Sequence, residues 1–335
     1  MLYTIDEIRH VHLEISSLCN AECPLCPRNL HGYPYNGGYV ERNLSLSDIK
    51  KIFEPEFLSH LAEININGNF GDAVMNPETV DIVEYFRQHN STCRISISTN
   101  GAARNSQFWK SLAKLDAHVM FCLDGLEDTH HLYRQNTVWS TIIKNAQTFI
   151  KAGGKATWKF IKFDHNIHQL EACRQLSKDL KFAEFQTIDD GRNTGPVFNK
   201  NGNHTHTIGS YSGPTEFKIL FHKKKTNEVM LEDIIDSRAP SKSVRCLSVM
   251  FQSIYIAANG DVSPCCWTGF YPKTFGLGEY HQAINAQLSP LISNNNALEN
   301  SLETTIEWFN NVKQQWNNKT FGEGRLIVCD ENCGH

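Results

Sequence analysis

Strand-like and helix-like segments alternate through the first two-thirds of the chain, and this alternation limits the fold more than any other feature. Strands are expected at residues 11–16, 63–67, 94–98, 118–123, 156–163 and 183–188, segments rich in Ile, Val and Phe. Helices are expected between them. One opens near Ser45 or Ser47 and is ended or kinked by Pro55, and another begins at Asn76-Pro77, a cap residue followed by proline. A third runs from about Thr137 to Gly153-Gly154, and a fourth puts Ile167, Leu170, Cys173, Leu176 and Leu180 on one face. Repeated βα units imply a parallel sheet with right-handed crossovers. Polar residues alternate with apolar ones in Ile64-Asn65-Ile66-Asn67 and Ile95-Ser96-Ile97-Ser98. A doubly wound sheet would bury both faces in apolar side chains, so the alternation favours an α/β fold built as a partial (βα)6 barrel of the TIM type, with a polar lumen. Chemistry in such a barrel sits at the C-terminal ends of the strands.

The 335 residues suit one large domain and a smaller one. Residues 1–190 are expected to form the barrel. Residues 191–215, rich in Gly, Asn, Thr and His, read as a linker or substrate-facing loop. Residues 216–335 read as a small α+β unit, with strands at 217–222 and 253–257 and a helix at about 299–316. A net charge of -4 gives no basic field of the kind that draws nucleic acid. No apolar run reaches the length of a membrane span. The first residues carry Asp6 and Glu7 and lack the apolar core of a signal peptide, so a cytosolic address is expected.

Eleven cysteines in a reducing compartment point to metal ligation or thiol chemistry before disulfides. Cys19, Cys23 and Cys26 place three thiols in eight residues just past the first strand. Three ligands can hold three corners of a cubane and leave the fourth iron open, whereas most iron–sulfur electron carriers close the cluster with four. The alternative is a zinc site, which usually draws four ligands, often as two separated pairs. Cys93 and Cys173 read as packing residues. His130-His131 and His204-Thr205-His206 lack partner ligands and are expected at the surface. Trp308 and Trp316, with Ile306, Phe309 and Val312, read as an apolar helix face.

A Cys-x3-Cys-x2-Cys run after the first strand of such a barrel resembles the radical S-adenosylmethionine (SAM) superfamily. Later residues add to the resemblance. Asn67-Gly68-Asn69-Phe70-Gly71-Asp72 follows the second strand, where the family has a Gly-Gly-Glu-type motif that receives the methionyl amino group. The resemblance thus implies SAM contacts at Gly68, Asn69, Gly71 and Asp72, with Asp in place of Glu. Ser98-Thr99-Asn100-Gly101 is similar to the family's Thr-Asn-Gly, and implies contacts from Ser98 and Asn100 to the ribose or carboxylate. Cys122-Leu123-Asp124-Gly125, continuing to Arg134, looks like the family's Ser-x-Asp-Gly…His-x-x-Arg run, with Cys122 where serine is usual. It implies that Arg134 holds the methionyl carboxylate, a task suited to a guanidinium fork. Leu25 stands where an aromatic is common, so its adenine contact would be apolar only.

Cys246-x13-Gly260-x4-Cys265 followed by Cys329-x3-Cys333 resembles the SPASM and twitch subdomains, which carry auxiliary [4Fe–4S] clusters. Counting Cys266, five cysteines support one such cluster, as in the twitch form. Cys246, Cys265, Cys329 and Cys333 are its expected ligands and Cys266 a spare. A zinc ribbon is the alternative for these four.

The resemblance implies an enzyme with SAM and two [4Fe–4S] clusters, one catalytic with an open iron and one auxiliary. It would cleave SAM reductively to a 5′-deoxyadenosyl radical that abstracts hydrogen from a substrate. An external donor of flavodoxin or ferredoxin type would supply the electron. Asp124, Lys162 and the Asp189-Asp190 pair, polar residues at strand ends, are candidates for catalysis or substrate contact. Relatives with such extensions often modify ribosomally made peptides, while others oxidise or rearrange small metabolites; a zinc-binding interaction protein is a distant third reading. Only about ten residues precede the first strand. Leader recognition for a peptide would therefore fall to a separate partner, as in the peptide spliceases.

Overall fold

The computed structural model describes residues 2–34, 39–189, 195–209, 240–273 and 279–335. All six expected strands are present: β1 (His10–Leu13), β2 (Glu63–Ile66), β3 (Arg94–Thr99), β4 (His118–Cys122), β5 (Lys155–Lys162) and β6 (Glu184–Asp189). They pair in parallel in chain order, as right-handed βα units require. This is the (βα)6 partial-barrel arrangement, and a smaller C-terminal α+β part accompanies it.

The strand periodicity explains how the sheet is covered. Val11, Ile64 and Ile95 stand in one row across β1, β2 and β3, and Leu13, Ile66, Ile97 and Val119 in the next. All are buried in the main core. Side chains alternate along a strand, so the other face receives His12, Asn65, Ser96 and His118, which also lie in register. The polar lumen expected from the alternation is this second row.

Helices fill the crossovers. Helix α1 (Leu46–Ile52) is capped by Ser45, whose side chain accepts from the Asp48 N–H at 3.0 Å while Asp48 accepts from the Ser45 N–H. Pro55 opens a separate short helix at Pro55–Ser59, as its fixed φ and missing donor favour. Helix α2 (Thr79–His89) starts later than Asn76-Pro77. The reason lies in Asn76, whose amide donates to the Ile15 and Leu44 carbonyls at 2.8 and 2.7 Å and ties the loop to the sheet. Helices α3 (Ser106–Ala113), α4 (Glu127–Tyr133), α5 (Trp139–Lys151) and α6 (Leu170–Asp179) complete the layer.

Two regions differ from expectation. Within residues 191–215, Gly195–Phe198 (β7) and His204–Ile208 (β8) pair as an antiparallel hairpin where a linker or loop is expected. The expected helix at 299–316 is broken into Leu302–Ile306 and Phe309–Gln315. Trp308 sits at the break, buried, with its indole N–H donating to the Val262 carbonyl at 3.2 Å. The strand expected at 217–222 lies outside the described residues.

The C-terminal part joins the same sheet. Strand β9 (Ser253–Ile256) pairs in parallel with β1, His10 opposite Ser253 and Leu13 opposite Ile256, and β10 (Val262–Ser263) adds an antiparallel edge. The free side of β1 is thereby covered, which removes an exposed edge.

Candidate active site

The loop after β1 carries Cys19, Cys23 and Cys26, and the loops after β2, β3 and β4 close around it. Gly68 and Gly71 are required by close backbone approach. A Cβ at Gly71 would lie 1.7 Å from the Ser16 carbonyl oxygen, and one at Gly68 would lie 2.6 Å from Glu14 Oε1. Asp72 is buried, and its N–H donates to the Leu18 carbonyl at 2.8 Å, next to the first cysteine. One Asp72 oxygen accepts from the Asn100 N–H at 2.7 Å and the other from the Val74 N–H at 3.1 Å. Burial raises the Asp72 pKa from its ordinary value, and these hydrogen bonds oppose the rise.

Asn100 then turns its amide toward the triad, donating to the Asn20 side chain at 3.0 Å and to Cys19 Sγ at 3.7 Å. Burial pushes the Cys19 thiol up, with Asp72, Cys23 and Cys26 adding to the shift. On the other side Arg134 donates to Cys23 Sγ at 3.8 Å through Nη1 and to Asp124 Oδ2 at 2.6 Å through Nε. Asp124 is fully buried, and its second oxygen accepts from the Ile161 N–H at 2.7 Å. Burial works against the Arg134 charge, but the Asp124 carboxylate, with Cys23 and Cys122, outweighs it and raises the pKa well above its ordinary value. Cys122, at the end of β4, is raised by burial and drawn back by the nearby Arg134 and Lys159 charges.

Hydrogen bonds thus link Cys19, Cys23, Asp72, Asn100, Asp124 and Arg134, with additions that the sequence did not signal. His130 is buried, where a surface position is expected. Its Nδ1 accepts from the Asp124 N–H at 3.2 Å, Nε2 bonds Thr137 at 3.2 Å, and burial lowers its pKa to about 3. His131, beside it, is exposed. His206, also expected at the surface, is half-buried and bonds the Leu132 carbonyl at 2.9 Å. The hairpin it belongs to seats Val197 and Ile208 against Ala21, Cys23, Tyr133 and Phe163, with Leu25 and Cys26 at the margin. Lys162, at the end of β5, forms an ion pair with Asp189 at the end of β6; Asp190 lies outside the described residues. Glu14 has a signal visible in hindsight, being a lone carboxylate in the apolar run Val11–Ile15, and it is 2% exposed.

The second group of thiols lines a cavity of about 350 Å³. Cys246, Cys265, Cys329 and Cys333 each feel the others. Cys333 hydrogen-bonds Cys246 and raises it, while Cys333 itself falls to about 6; burial raises Cys265 against the hydrogen bonds of Thr268 and Trp267, and burial followed by the Cys265 charge raises Cys329. Cys266, pushed up to about 12 by burial, couples to Cys265 and turns its carbonyl to the Asn69 amide at 2.9 Å. Val312, Trp316 and Val328 complete the apolar wall.

Among the described residues, no three metal-ligating side chains converge as one bound ion requires. The surroundings nevertheless fit iron–sulfur clusters. Four thiols around one cavity, Cys329 buried and Cys246, Cys265 and Cys333 half-buried, would repel as thiolates, and metal charge converts that repulsion into ligation. At the first site the Asn100 amide stands beside Cys19 and the Arg134 guanidinium beside Cys23. The buried Ser98 hydroxyl, at the end of β3, has no partner among the described residues and is available to a ligand.

No family model matches the chain. An uncharacterized protein of Methanocaldococcus jannaschii is 25% identical over 127 residues, 37% of this chain. The match spans 41% of that relative's length. Among solved structures, Streptococcus suis SuiB bound to S-adenosylmethionine aligns over 95% of this chain and 68% of its own, with TM-score 0.53 and 14% identity. SuiB bound to precursor peptide SuiA aligns over 95% and 66%, with TM-score 0.53 and 13% identity. The protein anSMEcpe with bound AdoMet aligns over 92% and 84%, with TM-score 0.51 and 14% identity. At such identities the likeness is one of fold. The chain shares the fold of these proteins, which have been crystallised with S-adenosylmethionine.

Proposed function

We propose that the protein is a radical SAM enzyme that modifies a ribosomally synthesised peptide. The observation that carries the chemistry is the junction of Cys19 and Cys23 with Asp72, Asn100, Asp124 and Arg134 at the ends of four neighbouring strands. When bound, a [4Fe–4S] cluster with an open iron and SAM supply a 5′-deoxyadenosyl radical that takes hydrogen from the substrate. Cys19, Cys23 and Cys26 would hold that cluster. Asn100 and Arg134 direct N–H groups at two of the sulfurs, which stabilises their negative charge. Gly68, Asn69 and Gly71 bring backbone close to the cofactor, Asp72 braces this loop against Asn100, and Ser98, Cys122 and Leu25 complete its surroundings. Asp124 fixes Arg134 so that its remaining donors can take a carboxylate. The hairpin over the triad loop shields the site from water.

Cys246, Cys265, Cys329 and Cys333 would hold one auxiliary [4Fe–4S] cluster. Residues 1–190 would act as the radical domain, 191–215 as its cover and substrate-facing segment, and 216–335 as the auxiliary-cluster domain. Lys162, at the rim, is a candidate substrate contact. The peptide reading is supported by the shared fold with SuiB, which has been crystallised with precursor peptide SuiA. A separate leader-recognition protein and an external flavodoxin- or ferredoxin-type donor would complete the system.

The test is anaerobic reconstitution with iron and sulfide, reduction with dithionite and SAM, and measurement of 5′-deoxyadenosine. The wild-type chain is expected to form it, and the Cys19→Ala/Cys23→Ala/Cys26→Ala variant to form none above background. Equal product from both would reject the triad assignment. A candidate precursor peptide encoded beside this chain should gain a mass change in the same assay.

A further inference from the structure

Glu14 lies one residue beyond β1, where the motifs give it no role. Its Oε1 accepts from the Phe70 N–H at 2.7 Å and the Gly71 N–H at 2.9 Å, and its Oε2 accepts from the Tyr255 hydroxyl at 2.7 Å. The carboxylate therefore holds the glycine loop from beneath with one oxygen and a strand of the C-terminal part with the other. Tyr255 is fully buried on β9 and lines the cavity of the second thiol group. Further ties run the same way. Asn69 donates to the Cys266 carbonyl at 2.9 Å, and His12, another cavity residue, meets the Asn67 carbonyl at 2.6 Å and the Tyr255 ring edge-on at 5.0 Å. Phe70 stacks on Phe270, with ring centroids 5.6 Å apart. The loop that approaches the first site is thus bonded to the wall of the second at several points, and Glu14 is the point where both sides meet on one side chain.

We propose that Glu14 is a positioning residue which, through Tyr255, makes the shape of the 68–71 loop, and with it SAM affinity, depend on the wall of the auxiliary cavity. The inference rests on the radical SAM reading of the first site. Two N–H donors aimed at one oxygen fix the loop backbone, and a buried acceptor that serves both is costly to replace. Removing the Tyr255 hydroxyl leaves Oε2 short of a donor and frees the carboxylate to rotate. No cavity ligand is touched by that change.

Equilibrium dialysis of SAM against the anaerobically reconstituted protein tests this, with iron content and thermal unfolding measured alongside. Tyr255→Phe should retain wild-type iron and bind SAM roughly three- to tenfold more weakly. Glu14→Gln, which keeps one acceptor oxygen for the two amides, should fall in the same range, and Glu14→Ala should be weaker than either. If Glu14→Ala does not fold, the two conservative variants still decide the matter. SAM binding within twofold of wild type in both Tyr255→Phe and Glu14→Gln would overturn the inference and leave the proposed function standing. A wild-type chain that carries its iron yet binds no SAM would overturn both.

Discussion

Replacing Asp124 with alanine is expected to lower the unfolding free energy by about 3–5 kcal/mol, among the largest losses a single change can cause here. Asp124 is fully buried and Arg134 nearly so, with side-chain exposures of 0% and 12%. Truncation would leave the guanidinium without its carboxylate and the Ile161 N–H without an acceptor. Both are penalties of unpaired buried groups and not the loss of a surface contact. Arg134 would also lose the anchor that sets its approach to Cys23, so SAM binding should weaken along with stability. Denaturant unfolding of the two proteins measures the effect. A companion variant, Asp124→Ala/Arg134→Met, should recover part of the loss, because it removes the stranded charge. A loss below about 1 kcal/mol for Asp124→Ala would mean that the pair behaves as an exposed one.

Gly71→Ala is expected to damage both halves of the first site at once. Every near neighbour of the added methyl is backbone: the Ser16 carbonyl oxygen at 1.7 Å, its carbon at 2.5 Å and the Ser17 Cα at 2.7 Å. No side chain can rotate away, so the chain must move either the glycine loop or the segment leading into Cys19. Overpacking of this kind costs about 1–3 kcal/mol of stability. The functional loss should exceed it, since Asp72 and Cys19 lie on the two segments forced apart. SAM affinity should fall about tenfold or more, equivalent to about 1.4 kcal/mol. Dialysis of SAM against the reconstituted variant checks this, and affinity within twofold of wild type would show that the loop has slack which the close contacts do not suggest.

What the sequence made legible follows from the range of the interactions involved. Period-two alternation is local, so β2 and β3 could be located from Ile64-Asn65-Ile66 and Ile95-Ser96-Ile97, and the facing row of polar residues could be anticipated. Motif residues such as Asp72, Asn100 and Arg134 were legible because each follows a recognisable strand. The bonds that join them to each other and to the triad were not, because these connect residues from 10 to 111 positions apart. Asp124 shows the difference: its place at a strand end, which makes it a candidate for catalysis or substrate contact, is local, whereas the bonds of its carboxylate to Arg134 and the Ile161 N–H are not. His130 is buried although its partners, the Asp124 N–H and Thr137, are close in sequence, because it is the packing of its helix onto the end of β4 that brings them together. The hairpin at β7 and β8 was hidden by its Asn- and Thr-rich composition, and its burial comes from packing onto Tyr133 and Phe163. Helix α3, in a crossover where a helix is expected, takes its start from Asn105, whose side chain accepts from the Phe108 N–H at 3.0 Å.

The most direct measurement of the central claim is the iron and acid-labile sulfide content of the anaerobically reconstituted chain, with Mössbauer spectra to identify the cluster type. Two [4Fe–4S] clusters predict about eight irons per wild-type chain. Alanine at Cys19, Cys23 and Cys26 should remove about four of them, and alanine at Cys246, Cys265, Cys329 and Cys333 the other four. A colourless wild-type protein that holds zinc and little iron would contradict the account.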